Sequence, residues 1–108
     1  MIIIDIVLSK NNIIKSFKAS GHALNSKSGS DIVCAAATCL LRTTANLLNR
    51  EKKITVKGSA KEPGQMEMFL IKYPESRQEW INGITDFLIK GLLDLKEEYP
   101  EKLNINID

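Results

Sequence analysis

His22 and Cys34 are the residues of this sequence able to pair a base with a nucleophile. The segment between them is about ten residues long, and a loop of that size readily brings its ends within side-chain reach. An imidazole beside a thiol takes its proton to give a thiolate–imidazolium pair. That pair attacks carbonyls, and the charged imidazole then protonates the leaving amine. Asp31 reads as the N-cap of a helix that follows it, which puts Cys34 in the first helical turn. Unpaired backbone N–H groups and the helix dipole favour an anion there, and a thiolate is such an anion. The same N–H groups could form an oxyanion hole. A plainer reading stands beside it: a cysteine in an alanine-rich helix is a small buried hydrophobe, and His22 a surface or loop-capping histidine.

The neighbours of this pair each carry two readings. Asp31 caps the helix, worth ~1 kcal/mol, or orients the imidazole as the acidic member of a triad does. Gly21 permits close backbone approach or a positive φ at a strand exit. Gly29 serves as a loop hinge or as simple turn chemistry. Cys39 lies about 140° around the helix from Cys34, so the two thiols cannot bond within one straight helix, and Cys39 is expected in the core. No second Cys/His cluster completes a zinc site. Neither a metal nor a cofactor is expected.

The elements that must hold these groups follow from periodicity. Ile2, Ile4, Ile6 and Leu8 alternate and predict a strand. Lys10-Asn11-Asn12 predicts a hairpin turn. Residues 13–20 return as a second strand with Lys15, Phe17 and Ala19 on one face. Residues 21–30 are a Gly/Ser/Asn-rich loop, and 32–49 a helix whose Val33, Ala36, Leu40, Thr43 and Leu47 share a face. Residues 53–59 and 65–73 read as strands, joined by Glu62-Pro63-Gly64-Gln65, a type II turn by composition. Ser76 and Glu79 suggest a capping box. A second helix follows, with Trp80, Ile84, Phe87, Leu88, Gly91, Leu92 and Leu95 as its apolar stripe, core or dimer surface. Gly83 and Gly91 within it predict close packing against another element. Leu103, Ile105 and Ile107 form a last strand. The order β-β-α-β-β-α-β predicts one α+β domain over residues 1–108: a mostly antiparallel sheet with two helices on one face.

Composition narrows the partners. The net charge, 15 − 13 = +2, is too small to argue for nucleic acid on electrostatics, and the lysines are spread along the chain. No apolar run approaches the ~20 residues of a membrane span. The apolar N-terminus has an Asp within it and no basic residues before it, unlike a signal peptide. A cytoplasmic chain without membrane or direct nucleic-acid partners is expected. Its small size makes a homodimer a reasonable expectation.

The string Gly21-His22-Ala23, a short loop, Gly29, then Asp31-Ile32-Val33-Cys34-Ala35-Ala36 resembles the signature of the ribosomal-processing cysteine protease Prp family. The element order and length also match. The resemblance implies a homodimeric endopeptidase that removes a short, hydrophobic, Phe-containing N-terminal extension from a bacterial large-subunit ribosomal protein. It implies Cys34 as nucleophile and His22 as its base, with a loop between them, including Leu24, Ser28, Gly29 and Ser30, covering the bound peptide. Two positions depart from the pattern. Ser28 stands where relatives often carry an aromatic residue. Ala37-Thr38 stands where they carry Val-Ser, and Thr38 keeps a hydroxyl one turn beyond Cys34.

The sequence also leaves a non-catalytic ribosome-associated module and a thiol redox sensor as rival readings. For a peptidase, the apolar residues near Cys34 are Leu24, Ile32 and Val33, and the nearest cations are Lys27 and Arg42. An apolar pocket preferring an aromatic residue and having no well-placed cation is therefore expected.

Overall fold

Ile2, Ile4 and Ile6 are buried while Ile3 and Asp5 between them are exposed, so the first strand has one dry face. The structure, a computed structural model, describes residues 1–21, 29–60 and 64–108, the side chains of 29–31 excepted. Strand β1 (Ile2–Leu8) pairs antiparallel with β2 (Ile14–Gly21). Strand β2 pairs antiparallel with β4 (Gln65–Lys72), and β4 with the edge strand β3 (Thr55–Ser59). Strand β5 (Leu103–Ile107) lies parallel to β1 on its other side. The order across the sheet is β3-β4-β2-β1-β5. Helices α1 (Gly29–Asn49) and α2 (Gln78–Glu98) cover the face that carries Ile4, Ile6, Phe17 and Met68. This is the expected α+β architecture.

The β1–β2 turn is fixed by local chemistry. Asn12 takes φ +60°, which asparagine tolerates. Ser9 Oγ accepts from the N–H groups of Asn11 and Ile13 at 3.3 and 3.2 Å. Helix α2 then clamps the hairpin. Asn82 Nδ2 donates to the Asn12 carbonyl at 3.0 Å, and Asn12 Nδ2 donates to Asp86 at 2.9 Å. Buried Thr85 accepts from the Ile14 N–H at 3.1 Å and donates to the Ile81 carbonyl at 2.9 Å. A buried hydroxyl with both functions satisfied fixes the position of β2, which leads to Gly21.

Several expectations are corrected. Leu8 pairs with Ile14 and Val7 with Ser16, so Lys15 is the extra residue of a bulge. It is exposed and does not share the buried face of Phe17. The sheet-facing stripe of α1 is Val33, Cys34, Ala37, Leu41, Thr44 and Leu48. From Ala37 onward each residue lies one position further along the chain than the predicted face. Leu40 and Leu47 belong to an adjacent apolar face that borders a groove against α2. Cys39 is exposed in that groove, on the side of α1 away from the buried stripe, and is not core. Helix α2 likewise buries Ile81, Thr85, Leu88 and Leu92, leaving Phe87 72% exposed.

The helix starts also differ. Helix α1 begins at Gly29, so Asp31 has a helical backbone and is not its N-cap. Ser76 lies in a 3-10 turn (Glu75–Arg77) that precedes α2, and neither helix start there has a side-chain cap, so no capping box forms. Gly91 does meet a neighbour: an added Cβ would lie 3.0 Å from Leu40. Gly83 meets nothing within 4 Å, so close packing does not explain it. Strand β3 starts at Thr55, two residues late, because 51–53 form a turn closed by the Ile54 N–H and the Glu51 carbonyl at 3.2 Å. Gly64 takes φ +81°, as position three of a type II turn does; Glu62 and Pro63 lie outside the described residues.

Residues 32–49 are long and apolar enough to reach across a membrane by length and composition, at a mean hydropathy of 1.2. Their buried stripe against the sheet gives that apolarity a place in the core.

Candidate active site

Gly21 ends β2 opposite Ile2, and the approach of the chains there is close. Its φ is +153°, and a Cβ on it would lie 2.5 Å from the Met1 carbonyl oxygen and 2.9 Å from Ile2 Cα. Only glycine fits without a backbone shift. Its N–H donates to the Gly64 carbonyl at 2.9 Å, joining the strand exit to the β3–β4 turn.

Cys34 stands on the sheet-facing stripe of α1 and is 7% exposed. Its side chain and Gly21 border one cavity of about 330 Å³. Ile2, Ala19, Ala37, Leu41 and Met66 give that cavity a mainly apolar lining. Thr38, one turn further along α1, borders it too, with Oγ1 3.8 Å from Cys34 Sγ. At that distance a weak sulfur–hydroxyl hydrogen bond holds the thiol's rotamer. The thiol is therefore free, oriented and open to a space that a side chain can enter.

Of the residues singled out from sequence, Gly21, Cys34 and Thr38 meet at this cavity. His22 follows Gly21 directly, so the chain leaves β2 at the cavity wall. His22, Leu24 and Ser28 lie outside the described residues. Gly29, Ser30 and Asp31 are described by backbone alone and form the first turn of α1. With α1 starting at Gly29, Cys34 belongs to its second turn, and its own N–H is committed to the helix ladder. The free N–H groups belong to the turn before it.

The expected pocket lining is also corrected. Val33 is fully buried in the core and Ile32 is 61% exposed, and neither borders the cavity. Ile2 and Met66, strand residues distant in sequence, do. Arg42 borders it as well, so the cavity is not without a cation. The sequence carried a signal for it, since Cys34, Thr38 and Arg42 recur every four residues along one helix row.

The family profile of the cysteine protease Prp matches residues 1–104. A search of curated protein sequences returns no match. Among solved structures, the essential ribosomal processing protease Prp from S. aureus in complex with a substrate peptide superposes with a TM-score of 0.82 at 21% identity, covering 100% of both chains. The same protease with a covalently linked product peptide gives 0.80 at 22% identity, again over 100% of both chains. SMU.848 from Streptococcus mutans gives 0.81 at 27% identity, over 99% of this chain and 93% of that one. The likeness to these structures is one of fold, and the profile match over nearly the whole chain settles the family: this chain belongs to the cysteine protease Prp family and is a cysteine protease.

Proposed function

We propose that this protease removes a short, hydrophobic N-terminal extension from a large-subunit ribosomal protein, in the cytoplasm and as a homodimer. The observation that carries the reading is the thiol of Cys34, oriented by Thr38 and facing a mainly apolar cavity. Cys34 Sγ attacks the scissile carbonyl carbon while His22 takes the thiol proton. The tetrahedral intermediate collapses as His22 returns that proton to the leaving amine, and a thioester remains on Cys34. Water then attacks the thioester, His22 again accepting a proton, and the thiol is restored as the carboxylic acid departs. Asp31 orients the imidazole, and the loop between His22 and α1, with Leu24 and Ser28, covers the peptide. The cavity accepts an apolar or aromatic side chain next to the cut.

The relatives support this substrate class, since the S. aureus protease is a ribosomal processing enzyme crystallised with its peptide. The test is incubation of the chain with a ribosomal protein bearing such an extension, read by mass spectrometry. A single cut that frees the extension, lost in Cys34→Ala and in His22→Ala, is expected. No cut in the wild type, or equal cutting by Cys34→Ala, overturns the assignment. Sedimentation velocity tests the dimer, and a monomer at micromolar concentration contradicts it.

A further inference from the structure

Arg42 lies two turns beyond Cys34 on α1 and borders the thiol cavity. It also borders a recess of about 410 Å³ between α1 and the edge strand β3, and another of about 620 Å³ running along α1 past Cys34. Three recesses thus meet at Arg42. Its charge is unmatched: among the described residues Arg42 has neither an ion-pair nor a hydrogen-bond partner. Arg50 and Arg77, in contrast, both pair with Glu51. The helix neighbours of Arg42 at three and four residues are Thr38, Cys39, Ala45 and Asn46, none of them acidic. Glu67 shares the recess beside β3, but its carboxylate takes the Ser59 hydroxyl at 3.5 Å rather than Arg42.

A guanidinium in a mainly apolar cleft, without a counter-ion among the described residues, is matched by an acceptor on the ligand, best by a planar carboxylate. We propose that Arg42 is a specificity-determining residue that favours peptides bearing an Asp or Glu two to four residues from the scissile bond. The spacing follows from helix geometry. Eight residues of α-helix rise ~12 Å, and side chains lean toward the N-terminus, which brings the guanidinium nearer to Sγ. An extended peptide advances ~3.3 Å per residue, so about 7–12 Å spans two to four residues. The inference rests on the reading of Cys34 as the nucleophile facing the bound peptide.

Arg42 is solvent-exposed, so the preference is modest, about threefold to tenfold. A contact made equally in the ground state and the transition state appears in KM rather than kcat, and salt weakens it. The test uses synthetic peptides with a fixed Phe beside the cut and Gln, Glu or Lys at each of the second, third and fourth positions on either side. Affinity is read by fluorescence anisotropy on the Cys34→Ala chain, and kcat/KM on the active one. At one position Glu should exceed Gln by about threefold to tenfold, with Lys below Gln. The Glu-to-Gln ratio should fall to about one in Arg42→Gln, and Arg42→Glu should prefer Lys. A ratio of one at every position in the wild type, or a Glu preference that survives Arg42→Gln, overturns the proposal. If no peptide is cut but the Arg42-dependent preference in affinity holds, the peptidase reading fails, and with it the placement relative to a scissile bond, while the pairing of Arg42 with a ligand carboxylate stands. If the peptides are cut without charge preference, only the assignment of Arg42 fails.

Discussion

Gly21→Ala tests whether the strand exit that feeds the active site is as tight as the geometry requires. The new Cβ would meet the Met1 carbonyl at 2.5 Å and Ile2 Cα at 2.9 Å, both backbone atoms that no rotamer change can relieve. The chain must shift at the Ile2–Gly21 pair, at a cost comparable to overpacking, ~1–3 kcal/mol. The positive φ adds roughly 1–3 kcal/mol for a residue with a side chain. Reduced freedom of the unfolded chain returns about 0.5–1 kcal/mol. The net loss is about 1–5 kcal/mol, or a fall of roughly 5–25 °C in Tm at the slope expected for a domain of this size. Gly83→Ala is the control. It has open space at Cβ and helical backbone, so it should gain ~0.5–1 kcal/mol. Thermal and urea unfolding of both variants gives the comparison, and residual cleavage below Tm reports whether the cavity wall has moved. Equal stability of Gly21→Ala and wild type, with unchanged cleavage, would refute the argument.

Other consequences are as direct. Thr85→Val keeps the shape but leaves the buried Ile14 N–H without its acceptor, so urea unfolding should register a loss of ~1–3 kcal/mol. Replacing the Phe beside the cut by Ala in a synthetic peptide removes an aromatic side chain from the space lined by Ile2, Leu41 and Met66. Burial worth roughly 1.5–3 kcal/mol predicts a drop of at least about tenfold in kcat/KM. Asp at that same position should be cut more slowly still, because its carboxylate would be desolvated there, whereas Glu at the distance of Arg42 should help. Equal rates for Phe, Ala and Asp would place specificity outside the cavity.

Period-two alternation of Ile2, Ile4, Ile6 and Leu8 was enough to place β1, because one buried face leaves an unambiguous pattern. The helical faces were harder to read. Helix α1 is apolar toward both the sheet and α2, so three- and four-residue spacings fit two adjacent faces equally, and the reading fell on the α2-facing side. Cys39 was expected in the core because free cysteine is so often buried, although its angle from Cys34 turns it away from the buried stripe, and it is exposed. Caps were misread for a related reason. Asp31 and Ser76 are good capping types, but a 3-10 turn after Pro74 starts α2 without a side-chain cap, and α1 starts two residues before Asp31. Cys34, Gly21 and Thr38 were legible at the site because a local motif carries them. Ile2 and Met66 come from other strands, and only the sheet register brings them to the thiol. Arg42 recurred at helical spacing from Cys34, yet its place at the cavity depended on which face of α1 turns inward.

The central claim is that Cys34 forms the acyl-enzyme, and the two free thiols allow it to be tested within one molecule. The chain is mixed with a peptide carrying the hydrophobic extension, quenched in acid during turnover, and mapped by peptide mass spectrometry. The account predicts a thioester of the extension on Cys34 and none on Cys39, although Cys39 is the more exposed of the two. Adduct on Cys39, or turnover that persists in Cys34→Ala, would contradict it.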